Sequence, residues 1–351
     1  MKIAMLSTPW IAVPPYGYGG TELVVSNLTE GLVKKGHDVT LFATGDAKTS
    51  ARLEYRYSQA LGYTQDKVQN NYNRLAHINS FMKFLQKEKF DVIHNHNGPI
   101  TQYFLDLQDT PHIHTLHNVL YLLDHEKNDA PESRVSTFLN FRHHPYVSIS
   151  DSQRNSLPNL NYVKTIYNGI DPKDFIFTKE KEDYVAWFGR VTPYKGLDTA
   201  IKVAKRAGIK IKIAYYLDPS NTKYFDQYIK PLIDSNVEIV NTIATPQDKN
   251  RFLSKAAALL FPITWNEPFG LVMIEAMASG TPVIAMNQGS VSEVVDDGKT
   301  GFIVKNEEEM IDALGKIQSI RPEYCHQHTA TKFSIDQMVD QYVEAYQSIL
   351  N

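Results

Sequence analysis

Residues 257 to 285 read AALLFPITWNEPFGLVMIEAMASGTPVIA, and they give the clearest indication of the protein's architecture. Ala257 to Phe261 is a short apolar run closed by a proline, which is typical of a buried parallel strand. The pattern predicts a helix from about Phe269 to Ser279, with Gly280 as its left-handed C-terminal cap. Val283 to Met286 is predicted to be the next strand. Strand, loop, helix and strand in this order indicate an α/β protein.

The predicted helix carries one charge in an otherwise apolar segment. An apolar helix is expected to be buried, and a buried carboxylate such as Glu275 is costly unless it is paired or hydrogen-bonded. Glu267 lies eight positions earlier, in the loop at the helix N-terminus. Gly270 leaves room for a ligand at the first turn, where free backbone N–H groups favour an anion. The pattern indicates a binding site, although a solvated Glu275 and a simple loop charge at Glu267 remain alternatives.

Length and composition bound the class of protein. The 351 residues suggest two domains, and 42% hydrophobic with 21% charged residues is ordinary for a globular protein. A formal net charge of −3 without a run of Lys or Arg gives no electrostatic case for nucleic acid. Cys325 is the single cysteine, so no intrachain disulfide can form, which suits a reducing compartment. We expect no signal peptide and no membrane span, because the apolar runs are too short.

The N-terminal segment resembles the opening of a dinucleotide-binding fold. Lys2 to Ser7 is strand-like, Gly20 to Lys35 shows helical spacing of apolar residues, and Asp38 to Thr44 is the second predicted strand. We reject an NAD site, because Glu22 stands where the third glycine of the fingerprint belongs and the loop is too long.

Periodicity predicts further elements along the chain. The additional predicted helices are 72–87, 133–141, 197–206, 221–233, 247–256, 307–317 and 334–350, and the additional predicted strands are 91–96, 111–117, 146–150, 163–167, 184–188, 209–214 and 237–240.

Histidines alternate on two of these predicted strands. His94 and His96 share one strand face, as do His112 and His114, which raises the possibility of a metal site. Because no cysteine is nearby and no carboxylate spacing completes a ligand set, we interpret most of them as hydrogen-bonded structural histidines and predict no metal.

Two cations flank a glycine-bounded loop between a predicted strand and a predicted helix. The segment from Gly189 to Gly196 contains Arg190 and Lys195. A pyrophosphate leaving group needs fixed positive charge and N–H donors where negative charge develops. The alternative is two surface cations near a turn.

These segments together resemble the retaining glycosyltransferases of family 4 (group 1), which have the GT-B fold. The family pattern is Glu, seven residues, Glu, with Pro-Phe-Gly after the first Glu, and Glu267 to Glu275 matches it. Gly189 to Gly196 matches the family's Gly-Arg-x-x-x-x-Lys-Gly element. The resemblance implies an α/β architecture of two doubly wound Rossmann-like domains facing a cleft. An acceptor-binding domain at 1–167 and a nucleotide-sugar-binding domain at 168–333 are expected, with the final helix at 334–351 packing back on the first.

The resemblance also implies roles for individual residues. Arg190 and Lys195 would bind the diphosphate, Glu267 the hydroxyls of the donor sugar, and Glu275 the ribose. His117 matches a histidine that contacts the donor sugar, so the implied catalytic set is Glu267, Arg190, Lys195 and His117. The implied donor-binding set is Gly19, Gly20, Gly189, Phe269, Gly270, Leu271, Val272 and Glu275. The nucleotide base would lie near 241–244.

By resemblance, the reaction is a retaining transfer of a hexose from a nucleotide sugar. A UDP-sugar is favoured over a GDP-sugar, and no metal or cofactor is expected, since the chain has no Asp-x-Asp pair. The acceptor, whether sugar, lipid or small molecule, is left unidentified. We expect a cytoplasmic protein, and peripheral contact with the inner face of the membrane stays open. The remaining alternatives are a non-catalytic nucleotide-sugar-binding protein and a GT-B epimerase or phosphorylase.

Overall fold

A computed structural model describes residues 1–64, 66–118, 132–240 and 245–350 of the chain. The chain divides into two units. The first unit comprises Met1–Gly169 together with Ile335–Asn351, and the second comprises Ile170–Ser334. Each unit is built on one parallel β-sheet, and parallel neighbours require crossover connections, which are mostly helical here.

The described part of the first unit holds a seven-stranded sheet in the order β3-β2-β1-β4-β5-β6-β7. All neighbouring strands are parallel. The strands are β1 (Lys2–Leu6), β2 (Asp38–Ala43), β3 (Arg52–Tyr55), β4 (Val92–Asn95), β5 (His112–Leu116), β6 (Tyr146–Ser148) and β7 (Tyr162–Thr165). The strand order reverses between β1 and β4, and ligands bind beyond the carboxyl ends of strands at such a switch point.

Helices of the first unit come from both ends of the chain. The helices in its described residues are α1 (Gly20–Lys34), α2 (Lys67–Leu85), α3 (Gln102–Leu105), α4 (Glu132–Asn140), α5 (Asp151–Arg154) and α13 (Ile335–Leu350). The last of these follows the whole second unit in sequence and packs against α1. Gly31 of α1 permits this approach, because a Cβ atom there would lie 2.5 Å from Cγ2 of Val339.

The described part of the second unit holds a six-stranded parallel sheet in the order β10-β9-β8-β11-β12-β13. Its strands are β8 (Tyr184–Arg190), β9 (Lys210–Tyr216), β10 (Val237–Ile239), β11 (Ala258–Phe261), β12 (Val283–Met286) and β13 (Gly301–Val304). Its helices are α6 (Leu197–Arg206), α7 (Thr222–Tyr224), α8 (Pro246–Ser254), α9 (Leu271–Ala278), α10 (Val291–Val294), α11 (Glu307–Lys316) and α12 (Pro322–Lys332). The switch point of this sheet lies between β8 and β11.

The helix that the opening stretch predicts is α9. It ends as expected: Gly280 has φ +76°, its N–H donates to the carbonyl of Met277, and the N–H of Thr281 donates to the carbonyl of Ala276. It begins two residues later than predicted, at Leu271, because Gly270 has φ +78° and forms the N-cap. The predicted burial is also seen, since the residues from Met273 to Ala278 are buried.

Two predictions of helices need correction. The helix predicted at 221–233 is a chain of short turns, with α7 followed by a π-turn at Phe225–Ile229 and a 3₁₀ turn at Lys230–Leu232. Pro231 explains the break, because a proline removes a backbone donor and clashes with the preceding turn. The helix predicted at 72–87 begins earlier, at Lys67, where the Asp66 side chain accepts from the N–H groups of Val68 and Gln69.

The predicted fold class is confirmed: two doubly wound parallel sheets give a mixed α/β protein. The strands β3 and β13 and the helices α3, α10 and α12 were not predicted. Among the described residues, no helix combines the length and the apolar character needed to cross a bilayer.

Two glycines in helices should respond oppositely to alanine. At Gly315 of α11 a Cβ would meet no atom within 4 Å, so Gly315→Ala should stabilise the protein by about 0.5–1 kcal/mol through lower backbone entropy of the unfolded chain. Gly31→Ala gains the same helix propensity but forces α13 away from α1, so we expect it to destabilise. Chemical denaturation of both variants decides this, and equal stabilisation by both would contradict the close packing.

Candidate functional site

Two loops of the second unit start at the same edge of its sheet. One follows β8 and contains Lys195, and the other follows β11 and contains Glu267. Since β8 and β11 are neighbours at the switch point, their carboxyl ends bring these loops together although they lie far apart in sequence. The backbone N–H of Thr264 donates to the carbonyl of Tyr194 at 3.0 Å, which joins the two loops directly.

Lys195 and Glu267 form an ion pair in which the Lys195 ammonium donates to Oε2 of Glu267. Only 18% of the lysine side chain and 11% of the glutamate side chain are exposed, so water screens the pair weakly. Trp265 Nε1 donates to the same carboxylate oxygen at 3.0 Å. The Lys195 ammonium also lies 4.8 Å from the centre of the Trp265 ring, within the range of a cation–π contact.

The main chain of Glu267 is fixed by the segment that follows β12. The backbone N–H of Ser290 donates to the carbonyl of Glu267 at 2.9 Å. Gly289, with φ +58°, lies so close that a Cβ atom would be 2.3 Å from the Glu267 nitrogen. Position 289 therefore has no space for a side chain, and the backbone of Gly289 and Ser290 packs against the backbone of Glu267.

The second predicted cation, Arg190, is the last residue of β8. Its Nη2 donates to the hydroxyl of Tyr194 at 3.3 Å, and the Tyr194 ring lies 4.9 Å from that of Trp265. Hydrogen bonds from Ser220 lower the pKa of Asp218, and the nearby charge of Arg190 lowers it further. Two aromatic rings thus lie between the two cations.

The buried Glu275 has a partner that the sequence did not reveal. Lys249 of α8 donates to its Oε1 at 2.5 Å, and only 3% of the Glu275 side chain is exposed. The ammonium also lies 5.4 Å from the centre of the Phe188 ring. The requirement for a counter-charge could be read from the apolar surroundings of Glu275, but a separation of 26 residues follows no spacing rule that would identify Lys249.

The structure places the remaining predicted residues of the second unit around these pairs. Gly189 lies in β8 beside Arg190, and Gly270, Leu271 and Val272 form the start of α9, where the first N–H groups of a helix lack internal acceptors. The Phe269 side chain is core rather than open surface, being 2% exposed and packed edge-on against Phe333. The segment predicted to lie near a nucleotide base, 241–244, is outside the described residues.

The residues predicted in the first unit lie at the carboxyl edge of its own sheet. Gly19 and Gly20 begin α1, and Glu22 in its first turn is buried. Burial raises the pKa of Glu22, while the Thr8 hydroxyl, which donates to Oε1 at 2.6 Å, opposes that rise. His117 follows β5, and its Nε2 shares a hydrogen bond with Nδ1 of His96 at 2.7 Å. Burial lowers the pKa of His117 to about 4, so its ring is neutral at pH 7.

Among the described residues of the first unit, two overlapping groups have the composition of a metal site: His112 with His114 and His144, and Asp106 with His143 and His144. The atoms of each group lie within 4.8 Å of one another. Both groups need a free lone pair on His114 or His144, so the hydrogen bonds of these two rings decide how well a metal would fit.

Those rings belong to a chain of hydrogen bonds with a consistent direction. Asn95 Nδ2 donates to Nδ1 of His114 at 2.9 Å, His114 Nε2 to Nδ1 of His144 at 3.2 Å, and His144 Nε2 to Oδ1 of Asp106 at 2.9 Å. Asn95 is held in this orientation because its Oδ1 accepts the N–H of Asn97. A metal bound by Nε2 of either ring would require the tautomer with the proton on Nδ1. The Nδ1–H of His114 would then face the Nδ2 amide group of Asn95, which is also a donor. This arrangement supports a structural role for these histidines.

A second buried network ties the strands to the C-terminal helix. His94 Nδ1 and the Tyr346 hydroxyl are 2.7 Å apart, and His94 Nε2 is 2.7 Å from the hydroxyl of Thr115. Thr115 in turn contacts the hydroxyl of Tyr342 at 2.9 Å. Both ring nitrogens of His94 are therefore engaged without any charge on the ring.

Comparison with known proteins identifies the family of both halves. The model of glycosyl transferases group 1 matches residues 171–331, and the model of glycosyltransferase family 4 matches residues 18–174. An uncharacterized glycosyltransferase of Methanocaldococcus jannaschii is 24% identical over 345 residues, which cover 87% of this chain and 85% of that protein.

Solved structures share the fold over almost the whole chain. The sucrose-phosphate synthase of Thermosynechococcus elongatus superposes with a TM-score of 0.82 at 19% identity, covering 99% of each chain. The Anabaena protein HepE, solved in complex with UDP and glucose, superposes with a TM-score of 0.74 at 17% identity, covering 99% of this chain and 100% of its own.

The buried histidines should make the protein sensitive to mild acid. Burial lowers the pKa of His117 to about 4 and those of His94, His96 and His114 well below their ordinary 6.5. The folded state thus binds fewer protons than the unfolded state below pH 6.5. We expect stability to be fully present above pH 6.5 and to fall between pH 6.5 and 4, by up to about 1.4 kcal/mol per pH unit for each histidine.

Chemical denaturation of the protein at several pH values measures this dependence. His94→Gln should reduce the slope between pH 6.5 and 4 by up to one proton. An unchanged slope in His94→Gln would show that this ring does not contribute to the acid sensitivity.

Proposed function

We propose that this chain, which belongs to the GT-B glycosyltransferases of group 1, moves a hexose from a nucleoside-diphosphate sugar to an acceptor with retention of configuration. The second unit would bind the donor and the first the acceptor. A UDP-sugar is the favoured donor, with a GDP-sugar as the alternative. The UDP in the Anabaena complex supports the choice of UDP.

The observation that carries this proposal is the pairing of Lys195 with Glu267 at the switch point of the second sheet. Lys195 supplies positive charge, and the nearby start of α9 supplies N–H donors and the positive end of a helix dipole. When the donor binds, Lys195 turns to the diphosphate and Glu267 accepts from the hydroxyls of the sugar. The two partners of the ion pair thus contact the two sides of the bond that breaks.

The Glu275 carboxylate would hold the ribose. Lys249 occupies one of its oxygens, Oε1, and neutralises the charge that burial would otherwise make costly. The other oxygen can then accept from a ribose hydroxyl. In this arrangement Lys249 acts through Glu275 and does not itself contact the donor.

The proposed reaction proceeds on one face of the sugar. Arg190, Lys195 and the helix N-terminus stabilise the negative charge of the departing diphosphate, so that the C–O bond to the sugar breaks. A phosphate oxygen of the leaving group takes the proton of the acceptor hydroxyl, whose oxygen forms the new bond on the same face. By resemblance, His117, whose ring is neutral at pH 7, is assigned to the sugar, and Gly19 and Gly20 at the start of α1 are assigned to the donor phosphate and the acceptor.

Thermal-shift measurements with UDP-, GDP- and ADP-sugars test the donor class. A ligand at 100 times its dissociation constant stabilises the folded protein by about 2.7 kcal/mol. A donor that stabilises the chain is then tested for turnover by release of the nucleoside diphosphate in the presence of candidate acceptors. If no nucleotide sugar of the three classes stabilises the chain, the proposal fails.

Stabilisation of the negative charge on the leaving group should depend on Arg190 and Lys195 and not on a metal ion. Arg190→Ala and Lys195→Ala should each lower turnover by about 100-fold or more, the scale of losing a positioned electrostatic donor. EDTA should leave turnover unchanged. Near-normal turnover in both variants would remove the leaving-group assignment, and loss of activity on chelation that added Mg²⁺ or Mn²⁺ restores would contradict metal independence.

Substitutions of the two glutamates should have different effects on binding and turnover. Glu275→Gln should weaken the free diphosphate and the nucleotide sugar alike, by about 1.5–3 kcal/mol for a charge-assisted hydrogen bond. Glu267→Gln should lower turnover while leaving affinity for the free diphosphate nearly unchanged. Calorimetric titration of the diphosphate against both variants measures the difference. Equal weakening by the two substitutions would contradict this division of roles, even with the family assignment intact.

A further inference from the structure

We propose that Trp265 is a positioning residue that holds Glu267 in place when Lys195 leaves it for the donor diphosphate. This inference rests on the proposed function, because it concerns the same carboxylate and the same lysine. Trp265 lies two residues before the Glu267 to Glu275 pattern and has no role in that pattern. Three contacts of its indole carry the inference.

The first contact is the hydrogen bond from Nε1 of Trp265 to Oε2 of Glu267, at 3.0 Å. Lys195 donates to the same oxygen, so two donors share one acceptor. Once Lys195 contacts phosphate, the indole N–H is the side-chain donor that remains on this oxygen among the contacts described for Glu267. The other oxygen, Oε1, is then directed toward the sugar hydroxyls by a carboxylate that still has a fixed orientation.

The second contact is between the indole ring and the ammonium of Lys195, at 4.8 Å from the ring centre. A ring face attracts a cation without fixing its direction. The ammonium can therefore leave Glu267 and still lie against the indole. The N–H edge of the indole thus donates to Glu267, while the face of the ring contacts the Lys195 ammonium.

The third contact places the indole within the loops. The Tyr194 ring lies 4.9 Å from that of Trp265, and the Tyr194 hydroxyl accepts from Nη2 of Arg190. The packing against Tyr194 fixes the orientation of the indole. Its N–H therefore keeps pointing to Glu267 when Lys195 no longer contacts that carboxylate. The structure therefore separates an N–H function from a ring function in one residue.

Trp265→Phe removes the N–H and keeps a ring, so it should affect only the state in which the sugar is present. We expect kcat with the donor identified by the thermal-shift screen to fall about tenfold, while the dissociation constant of the corresponding free diphosphate stays within twofold. Trp265→Leu removes the ring as well, and it should also weaken the free diphosphate severalfold. A general loss of packing would not lower only kcat in Trp265→Phe while lowering both kcat and affinity for the free diphosphate in Trp265→Leu.

A double-mutant cycle tests whether the effect passes through Glu267. Binding of the nucleotide sugar is compared with binding of its free diphosphate by calorimetry, which needs no turnover. Trp265→Phe should lower the ratio of the two affinities in the wild-type background and change it by less than twofold in Glu267→Ala, which has no carboxylate to position. Independent effects in the double variant would overturn the proposal, as would a kcat of Trp265→Phe within twofold of wild type.

Trp187→Phe is the matched control. It also removes an indole N–H bond to the same loop, from Trp187 Nε1 to the backbone carbonyl of Lys195 at 3.3 Å, but it does not touch Glu267. It should leave the ratio of sugar-nucleotide to diphosphate affinity unchanged in both backgrounds. If Glu267→Ala itself leaves that ratio unchanged, the assignment of Glu267 to the sugar fails, and the role of Trp265 falls with it. If only the Trp265 variants behave as wild type, the proposed function stands and this inference alone is wrong.

Discussion

A carboxylate that is taken out of water needs a counter-charge, and this requirement organises the second unit. Glu275 and Glu267 are both largely buried, and each is matched by a lysine from a different element. These two ion pairs tie α9 to α8 and the loop after β11 to the loop after β8. Because an unpaired partner of a buried pair is strongly destabilising, the residues that would bind a ligand also hold the loops together in its absence.

The pairs have opposite relations to the proposed chemistry. The Lys249–Glu275 pair can persist when a donor binds, because a second carboxylate oxygen remains for a hydroxyl. In the proposed reaction the Lys195–Glu267 pair opens, because the donor would bind both partners. Under this proposal the Lys249–Glu275 pair stays closed throughout, whereas the Lys195–Glu267 pair keeps the two charges balanced until a ligand separates them.

The sequence predicted the elements that follow local rules and missed the contacts that do not. The strand, helix and cap from 257 to 285 could be predicted, since apolar periodicity and a glycine at the helix end are local signals, and the two glutamates could be placed on that frame. The partner Lys249 could not, because pairing across elements depends on tertiary packing. Trp265 lies only two residues before Glu267 in the same loop, but no spacing rule for loops predicts its hydrogen bond to that carboxylate. Pro231 was a local signal that the predicted helix at 221–233 disregarded.

The position of α13 in the chain has a consequence for biosynthesis. A ribosome makes this helix only after the whole of the second unit, whose residues are contiguous. The second unit can therefore complete its sheet while the first, although its strands are made earlier, still lacks the helix that covers α1 and supplies Tyr342 and Tyr346. Until α13 arrives, His94 is without its tyrosine partner. The unit whose synthesis starts first is thus the one whose buried hydrogen bonds are completed last.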